Sequence, residues 1–249
     1  MKLKKVFSFI LNCLKKHPIK SGVFFTLLLV YYFSLPSPLF KVPYSTVVES
    51  EEGRLLGAKI ANDGQWRFPE NDTLPEKFKK CIVTFEDQHF YQHPGFNPVA
   101  VFNAMVQNFK AGKVVRGGST LTQQVIRLAR KGQSRTYFEK AIELILATRL
   151  ELRFSKDKIV ELYAAHAPFG GNVVGLEMAS WRYFGLKPNQ LSWSESATLA
   201  VLPNAPSLIF PGKNQELLLA KRNLLLRKLN NNGTIDSETY NLALAEPLV

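Results

Sequence analysis

The sequence predicts a mainly α-helical protein with a small N-terminal β-hairpin region, preceded by one transmembrane helix. Three observations lead there. Beyond Pro75 apolar residues recur at spacings of three and four almost to the end of the chain, the period of a helix with one buried face. Between Ser45 and Phe68, the runs Ser45-Thr46-Val47-Val48 and Leu55 to Ile60 flank Glu52-Gly53, and Asn62-Asp63-Gly64 precedes Gln65-Trp66-Arg67-Phe68, the punctuation of a hairpin or meander. From Ile19 to Leu35 the only charge is Lys20, at one edge.

Taken in order, residues 1–18 form a basic segment. Lys2, Lys4, Lys5, Lys15 and Lys16, followed by Lys20, meet no acid in the first twenty residues, while Val6, Phe7, Phe9, Ile10, Leu11 and Leu14 alternate with them. Such a segment suits the anionic inner leaflet of a membrane. It also locates half of the net charge of +12, because the remaining 26 lysines and arginines stand against 20 acids. The basicity therefore argues for a membrane and against a nucleic-acid partner. Residues 19–35 read as the transmembrane helix, at the short end of the range, with the lysines held inside and residues 36–249 outside. Leu35-Pro36-Ser37-Pro38-Leu39 lacks the small-x-small pattern of a signal cleavage site. Residues 36–75 are linker and β region, and 76–249 the main helical domain. Cys13 and Cys81 fall on opposite sides of the expected membrane, so they do not pair, and neither has metal-ligand spacing.

Chemistry concentrates between Thr84 and Gln124. Glu86 and Asp87 follow the apolar run Cys81-Ile82-Val83-Thr84-Phe85, so a carboxylate pair leaves a buried element, where desolvation raises a carboxyl pKa and prepares a general base. Gly117-Gly118-Ser119-Thr120-x-Thr122-Gln123-Gln124 reads as a helix start, with Ser119 or Thr120 as cap and amide N–H groups free to face a phosphate or sugar. Arg127, Arg130, Lys131 and Arg135 follow as a basic wall suited to a pyrophosphate. Between these clusters, residues 96–109 set Val99, Phe102, Val106 and Phe109 on one helical face, which fits either a core helix or a surface that dips into lipid. Residues 138–154 predict a long helix on which Arg135, Glu139 and Glu143 recur every fourth residue, with Lys140 nearby. A further helix, 156–165, ends before the turn Pro168-Phe169-Gly170-Gly171-Asn172.

Glu86-Asp87-x-x-Phe90-x-x-His93-x-Gly95, the Gly-Gly-Ser-Thr-x-Thr-Gln-Gln of 117–124, Lys140-x-x-Glu143, Lys156-x-x-Ile159-x-Glu161-x-Tyr163 and Arg222-x-x-Leu225-Leu226 occur in the order seen in the peptidoglycan glycosyltransferases. Over roughly residues 44–230 the chain resembles these modules, in the monofunctional form, and most of all the penicillin-binding protein 1C branch, through Ala167 to Asn172 and Asp63 to Phe68. The resemblance implies a lysozyme-like fold with a head lobe and a membrane-associated jaw lobe at about 96–116. It implies a cell-wall enzyme of the bacterial cytoplasmic membrane that joins lipid II to a growing glycan strand. Glu86 would take the proton from the acceptor's 4-hydroxyl, and undecaprenyl pyrophosphate would leave with inversion. Glu143 joins Glu86 as a catalytic residue and is the candidate ligand for a divalent cation, Mg or Mn. Asp87, His93, Ser119, Thr120, Gln123, Gln124, Arg127, Arg135, Lys140, Lys156 and Arg222 carry over as substrate-binding or supporting residues.

Two positions depart from the family pattern. Glu139-Lys140 stands where Arg-Lys is usual, adding a carboxylate beside the expected pyrophosphate site, and Ala165 replaces an Asn that usually ends the fourth motif. No Ser-x-x-Lys module follows within the sequence, so crosslinking is expected from a separate transpeptidase. Two rival readings stay open on residues alone: a lysozyme-like enzyme that cleaves glycan with its two carboxylates, and a non-catalytic lipid II-binding scaffold.

Overall fold

A computed structural model describes residues 16–69, 73–113, 117–131, 133 and 136–248. The N-terminal unit, up to Phe40, contains helix α1 (Pro18–Tyr32). Pro18 supplies the fixed φ suited to a first turn, and the chain leaves the helix ahead of Pro36 and Pro38. At 15 residues α1 extends about 22 Å, less than the roughly 30 Å of a bilayer's hydrocarbon core. The span expected over 19–35 is thus realised only in part, and no helix among the described residues is long and apolar enough to cross a membrane. The basic segment that precedes it lies largely outside the described residues.

The second unit, Lys41–Val249, is mainly helical, as expected. Its β region comprises β1 (Thr46–Glu49) and β2 (Leu55–Lys59), an antiparallel hairpin whose register slips at Val48/Glu49. The Trp66–Arg67 segment, β3, does not join that hairpin. It pairs in parallel with β4 (Val173–Val174), far along the chain. Sequence proximity suggested a meander, but the backbone partner of Trp66 is Asn172, whose carbonyl accepts its N–H at 2.8 Å.

The helices fall into two packed groups. In the first, α2 (Glu76–Glu86) packs on α8 (Trp193–Val201), which packs on α9 (Gln215–Asn231) and α10 (Ser237–Ala245). Phe78, Ile82, Leu199, Leu225 and Leu226 are fully buried among them, and each truncation to Ala there would cost about 2–5 kcal/mol. In the second, α4 (Leu121–Ala129) packs on α5 (Tyr137–Glu151) and α6 (Lys156–His166), burying Leu121, Val125, Leu150 and Ile159. Helix α7 (Leu176–Phe184) packs on both α6 and α8.

Helix α3 (Pro98–Ala111) resolves the ambiguity of the apolar face at 96–109. Asn97 caps it, accepting from the Ala100 N–H at 2.9 Å, yet Val99, Phe102, Met105 and Phe109 are exposed, Phe109 at 91%. This is not a core helix: its large apolar side chains face outward, as do those of Tyr137 (98% exposed) and Phe138.

Candidate active site

The cleft is built at the meeting of two helix ends. Glu86 is the last residue of α2, and Thr120 caps the start of α4. The Thr120 hydroxyl accepts from the Gln123 N–H at 3.2 Å and donates to the Gly95 carbonyl at 2.7 Å, while Gln123 Oε1 accepts from the Thr120 N–H at 3.4 Å. Asp87 fastens the same corner: Oδ2 accepts the Leu121 N–H at 3.1 Å and lies 3.0 Å from His93 Nε2. Gly95 has φ +88°, and a Cβ there would stand 2.9 Å from the Ala147 carbonyl oxygen, so only glycine lets this loop close on α5.

The result is an open cleft of about 1310 Å³. Glu86, Asp87, Ser119, Thr120 and Gln124 line it, and Arg127, Lys140 and Glu143 complete the expected set within it. At one wall Gln124 Nε2 donates to Glu86 Oε2 at 2.7 Å, and Gln124 Oε1 accepts from the Tyr163 hydroxyl at 3.3 Å. Glu86 Oε1 is buried with no hydrogen-bond partner among the described residues. Burial raises the Glu86 carboxyl above the usual carboxylate value, Gln124 and Lys221 pull it partly back, and Asp87 adds to the rise. Its place at the carboxyl end of α2, the negative end of the helix dipole, acts in the same upward direction.

At the other wall Arg127 forks onto Glu143, with Nε to Oε1 at 2.7 Å and Nη2 to Oε2 at 2.8 Å. Lys140 Nζ donates to Ser119 Oγ at 2.7 Å, Gln123 Oε1 at 3.0 Å and Glu143 Oε2 at 3.3 Å. Burial alone would raise Glu143, but the hydrogen bonds and charges of Arg127 and Lys140 outweigh it and hold the carboxyl below its usual value. Both Glu143 oxygens are therefore engaged by cations, and among the described residues no three His, Cys, Asp or Glu side chains converge as a metal site. These residues do not fit a resident divalent cation.

Four of the expected residues support the cleft rather than line it. His93 braces Asp87, and Gln123 is buried behind Lys140. Lys156 Nζ donates to the His93 carbonyl at 2.6 Å and to Glu151 at 2.8 Å, and lies 4.2 Å from the centre of the Phe90 ring. Arg222, 1% exposed, donates to Ser194 Oγ at 3.0 Å and the Glu246 carbonyl at 2.7 Å, tying α9 to α8 and the end of α10. Arg135 lies outside the described residues. Sequence reasoning gave no site role to three groups found here: Tyr163, Lys221, which donates to the cleft-lining Asn204 at 2.8 Å, and Lys228. Tyr163 stood within a quoted motif and Lys221 adjoined Arg222, but choosing between neighbouring side chains required the direction of each along its helix.

Comparison with known proteins bears on the same residues. The family model described as transglycosylase matches residues 53–230, which contain every cleft residue named above. Penicillin-binding protein 1C of Escherichia coli K12 is 38% identical over 214 residues, 86% of this chain and 28% of that protein. Penicillin-binding protein 1A of Aquifex aeolicus VF5 is 37% identical over 226 residues, 89% of this chain and 31% of that one. The chain thus spans less than a third of the length of these relatives. A crystal structure of penicillin-binding protein 1A from Haemophilus influenzae aligns over 84% of this chain and 21% of its own, at 21% identity and a TM-score of 0.48. With the matched segment running from the hairpin turn to the penultimate residue of α9, and relatives above 30% identity across most of the chain, this chain belongs to the transglycosylase family.

Proposed function

We propose that this protein is a peptidoglycan glycosyltransferase that polymerises lipid II into glycan strands. The observation that carries the reading is the division of one cleft into a desolvated carboxylate, Glu86, and a cationic wall of Arg127 and Lys140. A sugar hydroxyl is a poor nucleophile near neutral pH, and a carboxylate with a raised pKa is matched to taking its proton, a contribution of typically about 10²–10⁴-fold. The proton would pass to the Glu86 carboxylate, whose Oε2 already takes the Gln124 amide. The freed hydroxyl oxygen forms the new bond to the anomeric carbon as the bond to the diphosphate oxygen breaks, with inversion. The proton ends on Glu86 and the electron pair on the departing diphosphate.

Arg127 and Lys140 are fixed by Glu143 and Ser119 before any substrate arrives, so they would meet the developing charge without reorganising. Ser119 and Gln124 are suited to sugar or phosphate oxygens, whereas Asp87, His93, Gln123, Lys156 and Arg222 act through the residues they hold. Glu143 enters this scheme as the partner of Arg127 and Lys140 rather than as a metal ligand, because its oxygens are already engaged.

A lipid-linked substrate calls for contact with a bilayer. The exposed apolar face of α3 and the apolar α1 support a location on the bacterial cytoplasmic membrane, with residues 1–18 inside and the helical domain outside. Glu86→Gln keeps the shape and the Gln124 contact but removes the base. Incubated with lipid II and run on a glycan gel, it is expected to give no polymer while still binding lipid II; undiminished polymerisation would refute the assignment. Muropeptides released from purified sacculi by the wild type would instead indicate a cleaving enzyme, and binding without product a scaffold.

A further inference from the structure

The carboxylate at 139 was expected to burden the cationic wall, and the structure shows what offsets it. Arg130, the residue at the carboxyl-terminal cap of α4, places Nε against Glu139 Oε1 and donates from Nη2 to Oε2 at 2.9 Å. With Arg127 and Glu143 this makes two forked rungs between α4 and α5, the partners rising from 127 to 130 on one helix and descending from 143 to 139 on the other. Helix termini favour the second rung, since Glu139 sits in the first turn of α5 and Arg130 just past the last turn of α4. The Arg130 contact, ahead of any other influence, holds the Glu139 carboxyl below its usual value, so it is ionised near neutral pH.

Glu139 lines the cleft together with Lys140 and Arg127, whereas Arg130 reaches it from α4. Counted over the two rungs and Lys140, three cations face two carboxylates, and this wall is left with a single net positive charge. Without Arg130 the count falls to zero.

We propose that Arg130 is a specificity-determining residue: by masking the Glu139 carboxylate it preserves the affinity of the cleft for a diphosphate. The proposal takes from the glycosyl-transfer reading only the identity of the natural substrate; the charge argument holds for any diphosphate in the cleft. The opposite view is that the rung merely braces α4 against α5. The two views differ in sign for the double variant, because masking fails only while Glu139 remains, whereas a brace is lost whichever partner goes.

The test uses the full chain in detergent, with inorganic pyrophosphate as probe, titrated by calorimetry for the wild type, Arg130→Ala, Glu139→Gln and the double variant. At low salt Arg130→Ala is expected to weaken pyrophosphate binding about tenfold, the order of one unit charge acting across a half-screened cleft. Glu139→Gln should bind at least as tightly as the wild type, and the double variant should return to within about twofold of it, a non-additivity that reports direct coupling. The deficit of Arg130→Ala should shrink as salt rises. A double variant as weak as Arg130→Ala, an Arg130→Ala that binds normally, or a wild type that does not bind pyrophosphate would each overturn the proposal. Arg130→Met, which keeps the aliphatic stem, replaces Arg130→Ala if the latter fails to fold. Lipid II polymerisation by the wild type is measured in parallel. If it is absent while the order of pyrophosphate affinities holds, the catalytic reading falls and this one stands; if it is present while the order fails, the reverse follows.

Discussion

Glu86 and Glu143 line the same cleft and carry the same side chain, yet the protein treats them in opposite ways. Glu86 ends α2, is half-buried with its Oε1 shut from solvent, and receives one neutral amide from Gln124, so desolvation leaves its carboxyl raised. Glu143 sits within α5, buried, but receives the guanidinium of Arg127 and the ammonium of Lys140, so its carboxyl is lowered. Burial pushes both upward, and the charge of the nearest donor decides the outcome. One carboxylate is left able to accept a proton; the other spends its charge fixing two cations in place. Paired titratable groups driven apart in this way are the usual sign of divided roles in a catalytic site.

The largest test of this contrast acts on the fixed pair. Removing Glu143 leaves Arg127 half-buried without its fork, so Glu143→Ala is expected to lower stability by about 2–3 kcal/mol, less than the roughly 3–5 kcal/mol for breaking a fully buried pair because the Arg127 side chain is 28% exposed. Denaturant midpoints at neutral pH would measure it, and a loss below about 0.5 kcal/mol, typical of an exposed pair, would show that the pair is held no more firmly than one on the surface.

The second test reads the opposite signs through pH. A carboxyl raised on folding destabilises the folded state once ionised, so Glu86→Gln should melt higher than the wild type near pH 7. That gain should fade as pH falls to the ordinary carboxylate value of 4.5. Glu143 is the reverse, since its lowered carboxyl contributes stability above 4.5 that is lost as pH falls through its folded value. Each kcal/mol recovered would move the melting temperature by about 2–4 °C for a chain of this size. Melting curves from pH 4 to 8 in which both variants shift the same way would remove the contrast.

How far the sequence foretold this depends on the kind of contact. The helices from 76 onward, the hairpin at 46–59 and a helix start capped by Ser119 or Thr120 were readable because their signals are local: period, turn residues and a hydroxyl at the head of an apolar run; the fold then selects Thr120. The pairing of β3 with β4 was not, since 106 residues separate Trp66 from its partner Asn172 and neither run announces the other. The same limit applied within the motifs. Lys156 and Arg222 belong to the pattern as much as Lys140 does, but one turns to the His93 carbonyl and the other into the α8–α9 core. Glu139 was flagged as a departure, while Arg130 looked like one more member of a basic stretch until the fold joined them.

The smallest expected effect concerns how Glu86 would be kept usable as the base of the proposed transfer. A glutamine amide can present either its oxygen or its nitrogen to a carboxylate, and only the nitrogen is attractive. Tyr163, fully buried on α6, decides this by donating its hydroxyl to Gln124 Oε1, which turns Nε2 toward Glu86 Oε2. Tyr163 therefore acts on Glu86 through Gln124. Tyr163→Phe removes only that hydroxyl, and a loss of about fivefold in kcat/KM is expected, in keeping with roughly 1 kcal/mol for a neutral hydrogen bond. A base must be ionised to act, and a donor to its ionised form lowers its pKa, so weakening the Gln124 contact should move the acid limb of the pH profile to higher pH. Gln124→Ala should produce the same displacement with a greater loss, and adding Tyr163→Phe to it should change nothing further, because the intermediary is already gone. Fully additive losses in the double variant would mean that Tyr163 reaches the reacting groups by some route other than Gln124.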